Sequence, residues 1–489
     1  MTIAAPPPTP CRSSPKRCSG TSPARRARPF ASVSDLRPIV LAAVLAAAAP
    51  AHGAPATVAD ARALLARGVA FDTVKGRGKV PAYADFLKSQ LVAAGFAPAD
   101  IRITPVGETA NLHLAWKGNG TRPPIAITGH MDVVEADPKD WARDPFTATE
   151  DGGYLFGRGV GDNKFDVSMV VATLAAMKRE GFRPNRDIHL FLSGDEETDG
   201  LTAEKQAAEA KAAGVALMLN SDGGGGLDAG GAASGYSLSA AEKTYADYRL
   251  TVTNPGGHSS RPTSPNAIAQ LAAAASRVDA YRFAPQINEI TRASLTAEGQ
   301  KQGGAIGNAM VAFARNPGDA AAIATLRADP ASIGQIATTC VPTMMTGGHA
   351  PNALPQKAAL TVNCRIFPGT SVEATRKTIE TIVADPAVKV ETAQEWVSTP
   401  ASPLRPDVMA AVTRAVAAAH PGIVPVPAMD AGASDSVYYR AVGIPSYGVS
   451  ALFMKPEDQF AHGLNERIPL AAIAPALTQW HSLITAMAQ

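Results

Sequence analysis

The sequence predicts an α/β fold: a main domain on a mostly parallel central sheet, interrupted by a smaller α+β domain. Three observations carry this expectation. Strand-like runs alternate with helical stretches from about residue 111 to 219, the pattern that lays helices over a parallel sheet. Near residue 246 the texture changes, and DYRLTVTN opens a stretch of strands with two helices. After about residue 401, STPASPLRP reads as a linker and the α/β alternation resumes. A chain of 489 residues is long enough to bury two cores. The expected boundaries are 1–53 for a leader, 54–246 and 401–489 for the main domain, and 247–400 for the inserted one.

Each element has a local reason. Thr57 and Asp60 cap a first helix, and Pro81 opens a second that Gly95 closes. Strands are expected at 111–117, 124–129, 187–192 and 216–219, with helices at 163–180 and 202–213 between them. In the inserted part a Gly-Gly turn leads to a helix capped around Ser264-Pro265, followed by strands at 336–345 and 358–366 and a helix at 371–385. The stretch 281–335 reads as a helical or irregular insertion. A helix at 406–419, two further strands with a helix between them, and a last helix from about 470 complete the chain.

Composition narrows the class. Hydrophobic residues at 46% and charged residues at 18% suit a soluble globular chain, and a net charge of +2 offers no field for nucleic acid. Residues 1–35, rich in Pro, Ser and Arg, read as disordered. Arg37, an apolar run from Ile39 to Ala49 and the small residues around Gly53 then resemble a secretory signal peptide, too short to span a bilayer. A periplasmic or secreted protein is expected, with cleavage near Gly53 and no stable membrane insertion afterwards. Cys340 and Cys364 lie in two strand-like runs; they pair if the runs are antiparallel, or remain two buried thiols.

Acids and histidines collect at strand ends. The run PIAITGHMDVV ends in His130-x-Asp132, a spacing that turns both side chains the same way in extended backbone. LFGRGVGDNK lacks the glycine at position 162 that a dinucleotide fingerprint needs, and leaves Asp162 on a Gly-rich loop before a helix. IHLFLSGDEETDG carries the doublet Glu196-Glu197, and the next strand runs into Ser221-Asp222-Gly223. FAHGLNERI places His462 near the carboxyl end. Taken singly, each is an ordinary loop motif. Together they bring carboxylates and imidazoles to one sheet edge, where open α/β sheets bind ligands and where divalent cations supply the counter-charge.

These ordered motifs resemble the di-zinc metallopeptidase family that includes aminoacylase-one, bacterial glutamate carboxypeptidase, acetylornithine deacetylase and succinyl-diaminopimelate desuccinylase. The resemblance implies two zinc ions, replaceable by Co²⁺ or Mn²⁺. Asp162 would bridge them, His130 and Asp222 would complete one ion's ligands, and Glu197 and His462 the other's. Asp132 would orient His130, and Glu196 would be the general base. It also implies that the inserted domain is a lid, with a homodimer through it as one open assembly. His258, in NPGGHSSRP, would help stabilise an oxyanion in its own or the partner's site. Asn352, Arg365 and Gly432 would bind the substrate, Arg365 suiting a carboxylate. The implied reaction is hydrolysis of a peptide or amide bond next to a free carboxylate, by a carboxypeptidase or dipeptidase, or alternatively by an N-acyl-amino-acid amidohydrolase. A non-catalytic binding protein on the same scaffold would lack ligands or base, and all are present.

Overall fold

The structure, a computed structural model, describes residues 56–489. The leader and signal expected over 1–53 lie outside these residues, as do Cys11 and Cys18. Among the described residues, none of the helices is long and apolar enough to cross a membrane.

A ten-stranded mixed sheet organises the main domain. Its centre is parallel: Ile188–Ser193, Ile125–His130, Met218–Asn220 and Ser446–Gly448 lie side by side in that order. Antiparallel strands Thr109–Trp116 and Ile101–Val106 extend one flank, and Gly225–Ala229, Ala232–Glu242, Pro425–Asp430 and Phe453–Met454 build the other. The central strands are buried along their whole length, so they read as continuous apolar runs. Helices Val58–Val69, Lys164–Arg179 and Ile473–Ala488 pack together in the layer that covers the sheet. As expected, Thr57 caps the first of them, its hydroxyl accepting from the Asp60 N–H.

The second sheet is antiparallel, in the order Thr339–Gly347, Lys357–Ile366, Thr244–Thr253, Lys389–Thr392. Helices Ala267–Ala280 and Val372–Val383 bury Leu271, Val278, Ile379 and Val383 against it. The first helix is capped by Asn266, whose carbonyl accepts from the Ile268 and Ala269 N–H groups, and not at Ser264-Pro265. The proline just before Asn266 marks the turn, but only the Asn side chain reaches the free amides. Cys340 and Cys364 stand directly opposite in the register and form a disulfide.

The insertion over 281–335 is helical. Its helices Glu289–Gln302, Gly304–Arg315 and Ala320–Ala328 enclose their own apolar cluster around Leu295, Phe313 and Leu326. They lie against the main domain: Ile290 joins the main core, Glu289–Gln302 packs on Pro425–Asp430, and Lys301 donates to the Ser234 carbonyl.

Candidate active site

The parallel register aligns three strand ends. His130 sits beside Ser193, and Thr128 beside Asn220, so the chain leaves the sheet at one edge through His130, Gly194 and Ser221. Gly129 is required there, because a Cβ would overlap Ser221 Oγ. Asn163 ties the edge together: its carbonyl accepts from the His130 N–H (3.3 Å) and Ser221 Oγ (2.9 Å), and its amide donates to the Ser221 carbonyl. The residues preceding Asp222 and following Asp162 therefore hold one another.

Around this edge the expected acids and histidines meet. Asp162 Oδ1 lies 2.9 Å from His130 Nε2, and Asp162 Oδ2 lies 3.3 Å from His462 Nε2. Glu197 Oε1 is 2.9 Å from the same His462 nitrogen, and Asp222 Oδ2 is 4.0 Å from His130 Nε2. Two trios bring a donor atom from each residue within 4.8 Å of the others: His130, Asp162 and Glu197, and His130, Glu196 and Asp222.

Asp132 does more than accompany the ring. Its Oδ1 is 3.5 Å from His130 Nδ1, while its two oxygens accept from the Glu196 N–H (3.1 Å) and the Glu197 N–H (3.0 Å). One buried residue thus sets both: its main-chain oxygen lies 3.1 Å from His130 Nδ1 and holds the imidazole, and its carboxylate holds the backbone of the glutamate doublet.

The electrostatics show an excess of buried negative charge. Burial alone would lower the His130 pKa, but hydrogen bonds with Asp132 and Asp162 and the Glu196 charge raise it well above the usual histidine range. Hydrogen bonds with Asp162 and Glu197 push His462 up to about 10. Burial, the Asp222 and Asp435 charges and that of Glu197 raise Glu196 far above the carboxylate range, despite His130. Asp222 rises in the same way through burial and the Asp162 charge. Imidazoles and carboxylates grouped this closely are the donor set that divalent cations bind, and such ions would offset the crowded charge.

Some supporting residues were not foreseen. Glu466, four residues after His462, is buried and accepts from the N–H groups of Gly159, Gly161 and Asp162 at 2.8–3.1 Å while pairing with Arg158 at 2.8 Å. It fixes the Gly-rich loop that presents Asp162. Nothing in the motif NERI distinguishes it from a surface acid; its signal is only its nearness to His462. Lys164 is fully buried, donates to the Phe71 carbonyl at 2.8 Å, and is pushed down to about 7 by burial. Asp435, by contrast, is expected from the motif DAGASDS to line the substrate pocket with Gly432, and it lines a cavity beside the glutamate doublet; it accepts from Ser193 Oγ and is pushed up to about 7, chiefly by burial.

A cavity of about 610 Å³ opens beside Glu196 and Glu197, and Arg365, Trp396, Asp435 and Tyr438 also line it. Arg365 donates to the Ala431 carbonyl at 3.1 Å, which places the exposed Gly432 at this rim. The structure does not bring His258 and Asn352 to the cluster within one chain. His258 is exposed, pairs with Ala353, and accepts from Ser260; the Asn352 carbonyl accepts from the Ser259 N–H. They stand near the Lys357 end of the lid strand, whereas Arg365 is near the other end, roughly 25 Å away along extended backbone.

A metal-binding acid–imidazole cluster at the carboxyl edge of an α/β sheet, beside a cavity with an arginine, defines a metallohydrolase. The chain belongs to the peptidase family M20/M25/M40, whose model matches residues 126–486. It is 28% identical over 401 residues to the zebrafish (Danio rerio) N-fatty-acyl-amino acid synthase/hydrolase PM20D1.1, covering 79% of this chain and 76% of that protein. It is 27% identical over 417 residues to mouse (Mus musculus) aminoacylase-1, covering 82% and 89% of the two chains. The fold is shared with the M20 family metallo-carboxypeptidase Sso-CP2 from Sulfolobus solfataricus, at a TM-score of 0.65 and 16% identity over 87% of this chain and 98% of the other.

Proposed function

We propose that this chain is an exported zinc hydrolase that cleaves a peptide or amide bond next to a free carboxylate. The observation that carries the reading is the position of Asp162 between His130 and His462, with Glu196 half-buried alongside and Arg365 on the same cavity. His130 and Asp222 would hold one ion, Glu197 and His462 the other, and Asp162 both. When bound, the ions supply Lewis acidity to the scissile carbonyl and lower the pKa of water.

This chain's own groups do the rest. Asp132 holds the His130 ring and the glutamate doublet in place. Glu196 takes the proton of the attacking water on its carboxylate and returns it to the leaving nitrogen. Arg365 receives the substrate carboxylate. His258 and Asn352 act across a homodimer joined at the lid, where His258 of the partner subunit would face the developing oxyanion. The lid's edge strand supports this assembly, since Val341, Met344 and Met345 are exposed along it.

Carboxypeptidase or dipeptidase action is one form of this reaction. The names of the zebrafish and mouse relatives favour the other, in which the amide joins an acyl group to an amino acid. Metal analysis of the purified protein, with hydrolysis of dipeptides and N-acyl amino acids before and after chelation, tests the proposal. Zinc near two equivalents and chelator-sensitive hydrolysis are expected; metal-free protein with no hydrolysis and no response to chelator overturns it.

A further inference from the structure

We propose that the cavity selects amides whose carboxylate-bearing residue has an aromatic or bulky apolar side chain, with Trp396 and Tyr438 as specificity-determining walls, and that its acids exclude acidic side chains. This rests on the reading that Arg365 receives the substrate's carboxylate.

Arg365 is half-buried on a cavity that Glu196, Glu197, Glu395 and Asp435 also line, yet among the described residues it forms no salt bridge. Its one hydrogen bond there goes from Nη1 to the Ala431 carbonyl, and a guanidinium has five N–H donors. Its position comes instead from an aromatic shelf. The guanidinium carbon lies 4.7 Å from the centre of the Tyr245 ring, and that ring lies 4.7 Å from Trp396, tilted by 54°. The Tyr245 hydroxyl is already bonded to Asp247 at 2.8 Å, so the ring is what the residue offers.

Tyr438 supplies a second wall. A Cβ at Gly200 would overlap its hydroxyl, and Gly200 has φ 66°; glycine there lets the tyrosine close on the loop that follows Glu197. A carboxylate bound at Arg365 would leave its neighbouring side chain among Trp396, Tyr245 and Tyr438. Aromatic and bulky apolar groups gain there from burial and ring contact. An acidic side chain would meet Glu395, which lines the cavity outside the metal-ligand cluster, and Arg365 is the one basic residue lining it among those described.

The test uses the full chain, metal-loaded, with N-acetyl-L-phenylalanine, N-acetylglycine and N-acetyl-L-aspartate. We expect kcat/KM for the phenylalanine substrate to exceed that for glycine by about tenfold and that for aspartate by about a hundredfold. Trp396→Ala should bring the phenylalanine-to-glycine ratio down about tenfold, and Trp396→Phe should restore most of it. Aspartate cleaved as well as phenylalanine, or an equal loss on all three substrates in Trp396→Ala, overturns the inference. If the wild-type protein cleaves no amide, the functional reading fails and binding judges the cavity alone. Saturable quenching of indole fluorescence by free L-phenylalanine and not L-aspartate, absent in Trp396→Phe, then upholds the pocket; no quenching overturns it.

Discussion

Asp162 turns one carboxylate oxygen to each of two histidines, Oδ1 to His130 at 2.9 Å and Oδ2 to His462 at 3.3 Å. Those histidines reach it from opposite ends of the fold: His130 closes a central strand, and His462 lies in the carboxyl-terminal segment. The Asp162 carboxyl is held far below the usual range by these two contacts, against the opposing effect of its burial. Among Asp162, Glu197 and Asp222 it is the one whose two oxygens each face a different imidazole.

The neighbours Glu196 and Glu197 are expected to fail differently. Glu196→Gln should retain bound metal and lose turnover by about 10²–10⁴. Glu197→Gln, which alters the group beside His462, should lose close to one metal equivalent. Metal content by mass spectrometry, read alongside initial rates, distinguishes them; the opposite pattern would exchange their roles.

Glu466→Gln removes one charge of a buried ion pair and leaves Arg158 without its counter-charge. The expected loss of stability is roughly 3–5 kcal/mol. Glu150→Gln, at the exposed pair with Arg62, should cost less than about 1 kcal/mol. Chemical denaturation of both variants checks this. Comparable losses would show that the loop brace is not what holds Asp162.

The Cys340–Cys364 disulfide closes a sequence separation of 24 residues and ties an edge strand to its neighbour. Replacing both cysteines with serine should lower stability by about 2–4 kcal/mol. Thermal unfolding with and without reductant provides the measurement: the wild type should respond to reductant and the double variant should not.

His113 gives the fold a dependence on acid. Its Nε2 lies 2.8 Å from His189 Nδ1 and its Nδ1 lies 3.4 Å from Arg102, with Glu209 at 3.9 Å. Burial, helped by His189 and Arg102, pushes it down to about 4. The unfolded chain, titrating near 6.5, binds the proton first. Stability is therefore complete above about pH 6.5 and falls as the pH drops towards 4, by at most about 1.4 kcal/mol per pH unit from this group. His113→Phe, which keeps a ring against Phe191, should flatten that slope in denaturation curves taken between pH 7 and 4. An unchanged slope would assign the acid sensitivity elsewhere.

The candidate site is legible in the sequence because its acids follow apolar runs. His130 ends a fully buried strand, and Glu196 and Asp222 follow within three residues of two others, so the run and the polar stop mark the sheet edge together. Other parts leave weaker traces. The strands Gly225–Ala229 and Ala232–Glu242 are hidden by glycines whose backbone freedom reads as loop. Pro105 obscures the flanking strand Ile101–Val106. Glu466 and Trp396 have roles set by partners hundreds of residues away or across a cavity, and such partners impose no local periodicity. The doublet shows both cases: its place is readable, but the Asp132 carboxylate that bonds to both of its amides is visible only in three dimensions.

The brace between Glu466 and the Gly-rich loop also bears on how the protein is made. Arg158 and Glu466 are 308 positions apart, and His462 follows Glu197 by 265. A ribosome therefore builds the whole parallel centre up to Met218–Asn220, and all of the lid, before the groups that complete the cluster exist. A nascent chain can form many of its strands, but the acid–imidazole cluster stays incomplete until its last few dozen residues have emerged.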